Sequence, residues 1–333
     1  MLRFFQRNLP STRVVVLLVV LGVWGLRVYF SLEPAVFLDA VGWQMPLAEF
    51  MVGWLPFRWQ LLGVALLALA QGVLAQRIVV QAQPSFRAGQ LIELFLPLLA
   101  LMTTWLLPQV LAMELAIVLL LFALHLLQSR SATQLPDRLF RATFLITCAT
   151  LVYWPLAVAI ALPLLAMVRQ GGSVLRLGVL FLMGILLPVV LLLAVGYLDD
   201  APWELLLPPE GFPLEWAFCP PARYGLTSPL FWIWVILMLF YFVVEFQFRR
   251  RSGQHSIAME YAQAMLRWLV VAAVVAAIFF PAFTMLSLML AAPLSIAFAY
   301  RLNEQRPGRW ANWEFLFLLL LLVLGNFAGA VSA

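Results

Sequence analysis

Apolar residues run along this chain in long stretches that neither alternate nor confine themselves to one helical face. They fall roughly at 14–32, 57–76, 91–107, 110–128, 140–153, 155–168, 174–197, 229–248, 265–280, 282–300 and 313–331. A helix needs about 20 apolar residues to cross the roughly 30 Å of hydrocarbon in a bilayer. The pattern therefore predicts an all-α polytopic transmembrane bundle of about eleven spans, forming one integral membrane domain over 1–333. Strands of a membrane barrel would show alternation over about ten residues instead. Three joints carry almost no polar linker: Leu107-Pro108-Gln109, Trp154-Pro155 and Pro281. They read as tight turns, although 140–168 could also be one long kinked helix.

Charge orients the bundle. The sequence holds 20 basic residues, all of them Arg. With the N-terminus inside, the inner segments contain Arg3, Arg7, Arg13, Arg77, Arg87, Arg130, Arg138, Arg141, Arg169, Arg176, Arg249, Arg250, Arg251, Arg301, Arg306 and Arg309, and Arg267 opens the ninth span from the same side. The positive-inside rule is then obeyed by seventeen of the twenty, with Arg27, Arg58 and Arg223 outside. The C-terminus falls outside, and the expected location is a bacterial inner membrane. The net charge of +5 is thus a topology signal and not a nucleic-acid footprint. Arg3, Arg7 and Arg13 before the first apolar run resemble a signal peptide, but the run is long and lacks a small-x-small site, so it reads as a retained span.

Two outer segments, 33–56 and 198–228, are long and hold eight of the 15 carboxylates: Glu33, Asp39, Glu49, Asp199, Asp200, Glu204, Glu210 and Glu215. The first includes an amphipathic stretch, 41–54, suited to the membrane plane. The second is Pro-rich. Trp43, Trp54, Trp59, Trp203 and Trp216 supply an aromatic belt.

Composition, 65% hydrophobic and 11% charged, excludes a large soluble domain. The absence of Lys excludes a lysine Schiff base and a P-loop. Cys148 and Cys219 give no disulfide framework, His125 and His255 form no metal or triad pattern, and neither HExxH nor GxSG occurs. No metal site is expected from these residues.

Ionisable residues inside spans are functional candidates by default. Glu93 begins the third span and Glu114 lies within the fourth, as intramembrane polar candidates. Glu245 and Arg249 are spaced for a local i, i+4 pair. Arg27 and Arg58 flank the first outer segment, as candidates to bind a lipid phosphate. Asp39, and after it Glu33, is the best-placed outer acid for general-base work or for holding a divalent cation near a lipid-borne phosphate.

The order of segments, with Arg before a first span, an acidic outer loop, and short paired spans around Arg138-Leu139-Phe140-Arg141 and Leu151-Val152-Tyr153-Trp154-Pro155, resembles the membrane module of the GT-C glycosyltransferases. That resemblance implies a seven-span module over 1–197, an outer loop at 198–228 and four further spans over 229–333. It also implies a polyprenyl-phosphate sugar donor, an acid at Asp39 or Glu33 serving the reaction, and a divalent cation. The first outer loop is short for that family, and no large outer domain follows the last span. The start Met1-Leu2-Arg3-Phe4-Phe5, the Tyr153-Trp154-Pro155 joint and the layout are also similar to a family of multi-pass inner-membrane proteins of Bacteroidota defined by a domain of unknown function, which supplies no activity.

Three classes of function stay open. One is a GT-C-like enzyme, or a degenerate relative, acting on lipid-linked sugars in envelope glycan assembly. The second is a non-catalytic subunit of an envelope assembly or secretion complex. The third is a lipid or small-solute transporter with a polar cavity lined by Glu114 or Glu93; the two halves show no inverted repeat that would favour it. Membrane lipids are expected partners in every case.

Overall fold

A computed structural model describes residues 2–6, 9–30, 55–83, 86, 89–103, 110–128, 134–170, 173–198, 229–250, 257–279, 283–304 and 308–331. Among these the chain is helical: α1 (Leu2–Phe5), α2 (Pro10–Phe30), α3 (Phe57–Ala82), α4 (Gly89–Thr103), α5 (Val110–Gln128), α6 (Leu135–Val152), a 3-10 segment (Trp154–Ile160), α7 (Ala161–Gln170), α8 (Val174–Leu198), α9 (Pro229–Arg250), α10 (Ile257–Phe279), α11 (Phe283–Glu304) and α12 (Arg309–Val331). Six of them, α2, α3, α5, α8, α9 and α12, are long and apolar enough to cross a membrane. The other predicted runs are helical too: α10 and α11 have 23 and 22 residues, and α4 and α7 are shorter.

The centre of the fold is α4. Every residue from 89 to 102 is buried, on all faces. The helix packs against α3, α11, α12 and α2. A helix apolar all round belongs in the interior of a large bundle, and Leu91, Ile92, Phe95, Leu98 and Leu99 fill that interior. From this hub α3 leads to α5, α5 to α6, and α6 to the peripheral α8. The long helix α8 keeps most of its apolar surface exposed, including Leu182, Leu186 and Val190, which is the lipid-facing pattern.

Small residues set the closest approaches, as expected where lipid tails remove the hydrophobic drive between helices. At Gly72 a Cβ would stand 3.2 Å from the Glu93 Cα and 3.2 Å from Pro97 Cγ, so α3 and α4 touch backbone to backbone. At Gly184 a Cβ would stand 2.8 Å from Thr143 Cβ and 3.1 Å from the Phe140 carbonyl, which seats α8 on α6.

Helix α6 has a polar stripe that lowers its hydropathy. Its threonines return their hydroxyls to the helix: Thr143 donates to the Leu139 carbonyl at 2.8 Å, Thr147 to Thr143 at 2.9 Å and Thr150 to Ile146 at 2.8 Å. These groups ask nothing of the surroundings, so they can be buried without water.

The joint at Trp154-Pro155 is a break. Tyr153 is extended at φ −146°, ψ 92°, the 3-10 segment follows, and this segment and α7 pack back on α6. The single kinked helix over 140–168 is therefore replaced by two helical arms. Helix α10 begins at Ile257, eight residues before the predicted start of the ninth span. Arg267 consequently lies within the helix and not at its mouth. The cause is polar: Glu260 and Gln263 sit in helical sequence that apolar counting passes over.

Gly178 and Gly184 lie on the same helix and separate packing from propensity. Nothing stands within 4 Å of a Cβ at Gly178. Gly178→Ala is expected to be neutral or stabilising by up to about 1 kcal/mol, through helix propensity. Gly184→Ala is expected to destabilise by about 1–3 kcal/mol, through overpacking against Thr143. Thermal unfolding of the two purified variants in one detergent checks the opposite signs.

Candidate functional site

The helix ends sort into two groups. At one end of the bundle the Leu2 amide donates to Asn312 Oδ1 at 3.1 Å, Gln6 Nε2 to the Leu302 carbonyl at 2.9 Å, and Gln90 Nε2 to the Leu9 carbonyl at 3.1 Å. Arg13 pairs with Glu93 at 3.6 Å. The start of α2, the start of α4, the end of α11 and the start of α12 therefore meet. Tyr300 lies edge-on to Phe86 at 4.8 Å and tilted against Phe248 at 6.2 Å, which adds the segment after α3 and the end of α9.

This end carries the cations. Glu245 takes Arg267 at 2.6 Å and Arg249 at 3.3 Å, so the expected i, i+4 pair exists and is joined by a cation from α10. Arg301 pairs with Glu314 at 3.2 Å. Beside that pair a cavity of about 670 Å³ opens, lined by Arg301, Arg309, Trp310, Trp313, Glu314 and Phe317. Arg and Trp side by side are the usual furniture of a membrane–water boundary.

The other end is organised by one buried guanidinium. Arg27, in the last turn of α2, is 1% exposed. Its Nη1 donates to the Leu101 carbonyl of α4 and, at 2.9 Å, to Asn326 Oδ1 of α12. Asn326 Nδ2 then donates to Leu98 O at 3.0 Å and Leu322 O at 2.8 Å. The last carbonyls of a helix lack intrahelical donors and carry partial negative charge. Leu101, in the last turn of α4, is 0% exposed. A cation from α2 serves Leu101 there, and an amide from α12 adds a second donor to Leu98 one turn earlier. Arg27 thus turns into the bundle and does not snorkel; its described contacts are with the helix terminus and with the Trp24 ring, 5.8 Å from its Cζ. Ile233, in the second turn of α9, packs at the same place, 3.6 Å from where a Gly325 Cβ would stand. The ends of α2, α4 and α12 and the start of α9 converge here.

Glu114 is the second buried polar centre. It is 0% exposed on α5 and accepts from Gln71 Nε2 of α3, which also reaches the Glu114 carbonyl at 3.3 Å. Glu93, 8% exposed, points to Arg13. The two intramembrane acids therefore face different helices and different partners. Asn326 and Gln71 escaped the sequence reading; each is an amide inside an apolar run, the one signal that could have found them. Asp39, Glu33, the stretch 41–54 and the acids of 199–228 lie outside the described residues, as does the Arg58 side chain. Among the described residues no cluster of three or more His, Cys, Asp or Glu is placed to hold a metal.

Removing either member of the α4 clasp should cost alike. Arg27→Met removes the cation from Leu101 and Asn326, and Asn326→Leu removes the Oδ1 acceptor of the guanidinium together with the donor to Leu98 and Leu322, each for roughly 1–3 kcal/mol. Because the two share partners, the double variant should lose less than the sum of the singles. Unfolding midpoints of the four proteins in a double-mutant cycle measure this.

Comparison with models of protein families finds no match, and neither the curated proteins nor the solved structures include one that matches this chain.

Proposed function

We propose that this chain is a multi-pass inner-membrane protein of eleven traverses. Its Arg-bearing end faces the cytoplasm, and its working face is the opposite end, where the segments 31–54 and 199–228 join the helices. The observation that carries the reading is the convergence at Arg27 and Asn326. Segment 31–54 leaves the bundle directly after α2, whose last turn holds Arg27. Segment 199–228 enters it at α9, whose second turn packs beside Gly325. Two sequence-distant acidic segments are thereby anchored to the same end of one rigid core. Loops held by a rigid scaffold are where binding and catalysis concentrate.

The chemistry proposed for that face is transfer from a lipid-linked sugar in the manner of the GT-C enzymes, in envelope glycan assembly. Asp39 is the acid, Glu33 is its alternative, and Arg58 is the phosphate contact. A polyprenyl-phosphate sugar would reach such a face from the outer leaflet. A divalent cation held by the acidic segment would neutralise the phosphate. Arg27 has a supporting part in this reading, since its described contacts lie inside the scaffold.

A second reading, a non-catalytic membrane subunit of an envelope assembly or secretion complex, draws on α8. That helix is apolar on its exposed side and packs chiefly on α6, so its free face could seat either lipid or another membrane helix.

Two measurements test the reading. In a Cys148→Ala, Cys219→Ala background, a membrane-impermeant maleimide should label Glu210→Cys in intact spheroplasts and Gln254→Cys only after permeabilisation. The reverse order would end the proposed orientation. Asp39→Asn should lower transfer from a polyprenyl-phosphate sugar by roughly 100-fold or more, the scale of a lost general base, with unchanged yield of folded protein. If Asp39→Asn and Glu33→Gln both retain the protein's cellular function and a membrane partner co-purifies, the subunit reading replaces the enzyme.

A further inference from the structure

The Glu114–Gln71 contact leaves two atoms unaccounted for. Gln71 Nε2 donates to Glu114 Oε2 and to the Glu114 backbone carbonyl. Glu114 Oε1 and Gln71 Oε1 are both buried and have no hydrogen-bond partner. Both are acceptors if Glu114 is a carboxylate, and two such orphans on one side-chain pair are costly in a water-free interior. A carboxylic acid and an amide are each planar forks with complementary arms. With one arm closed by N–H···O, a single proton on Glu114 closes the other as O–H···O and satisfies both orphans at once.

We propose that Glu114 and Gln71 form a proton-binding site, in which a neutral Glu114 donates from Oε1 to Gln71 Oε1 and clasps α5 to α3. The ligand is one proton, held in the bundle interior between two helices that qualify as spans.

The helices packed on α5 supply no charge to the site among the described residues. Those helices are α3, α6 and α10. Arg77 of α3 lies toward the Arg-bearing end, as does His125 of α5 itself, whose charged neighbours are Arg77 and Arg138. On α6, Asp137 and Arg141 pair with each other at 3.0 Å in the first two turns, with Arg138 between them. On α10, Glu260 sits in the first turn and Arg267 is taken by Glu245. Cys148, Tyr153 and Tyr261 are uncharged near neutral pH. The Glu114 carboxyl is buried and takes its side-chain hydrogen bond from Gln71.

A Gln at 114 reproduces the two-bond ring without the proton, because its amide donates where the acid would. Infrared difference spectra of the full chain in lipid nanodiscs, wild type minus E114Q, are therefore the test. The expected result is a protonated-carboxyl C=O band that shifts in D₂O and persists from about pH 6 to pH 8. Thermal unfolding accompanies it: E114Q should melt with the wild type, while E114A and Q71L melt lower. Carboxylate stretching bands in place of the acid band overturn the proposal. So does an E114Q protein that melts as low as E114A or fails to fold, since a neutral isostere must preserve a proton-held clasp.

Discussion

The last turn of α4 is buried among other helices, and its carbonyls have to find their donors there. The guanidinium of Arg27 and the amide of Asn326 answer that constraint at Leu101 and Leu98. The rest of the architecture depends on the answer. A helix buried on every face can be central only if its termini are satisfied by its neighbours. Satisfying the C-terminal end draws α2 and α12, the first long helix and the last, onto the same point. A fixed positive charge is also the right group there, because the helix terminus offers a partial negative charge. The cost of burying an ion is offset by its hydrogen bonds to the Leu101 carbonyl and to Asn326 Oδ1.

The same rule orders the remaining polar groups. The threonines of α6 bond to their own helix, Glu93 meets Arg13 near the aqueous boundary, and Glu245 is shared by Arg249 and Arg267. Where no polar group is involved, packing is set by the absence of side chains at Gly72 and Gly184. Large apolar residues are left for two duties, filling the ring around α4 and covering the lipid face of α8. The division explains how so apolar a composition still yields defined contacts: small and polar residues set the close approaches, and ring pairs such as Phe95–Phe298 fill between them.

What the sequence disclosed follows from which signals are local. A run of apolar residues is legible because crossing or filling a bilayer demands length, and the runs recur as helices. The joint at Pro155 is half legible: proline marks a kink or a break, and only the packing of the 3-10 segment on α6 selects the break over the continuous helices seen at Pro97, Pro188 and Pro293. Helix α10 begins earlier than its apolar run because Glu260 and Gln263 belong to the helix yet break the hydropathy. Arg27 is conspicuous in sequence, but its direction is not, since its partner Asn326 lies about 300 residues away. Gln71 and Glu114 are likewise joined by packing of α3 on α5 that no local pattern encodes. Asp39 and Glu33 fall outside the described residues, and the structure shows only where their segment leaves α2.

The two buried polar centres differ in kind, and the difference bears on how such a protein can work. Arg27 keeps its charge at any physiological pH, so the clasp at the end of α4 is a fixed fastening. Glu114 can exist with or without charge, and its bond to Gln71 holds α5 to α3 only in a state where every acceptor has a donor. The fixed fastening lies under the end where the acidic segments attach, and the protonatable one lies between two helices beside the hub. The clasp at Arg27 therefore fixes the ends of α2, α4 and α12 irrespective of pH, while the contact of α3 with α5 contains a group that can titrate. Substitutions in the first centre should therefore act on stability alone. Any linkage between protonation and activity would have to pass through α3, because that helix both packs on α5 and follows the segment that holds Asp39.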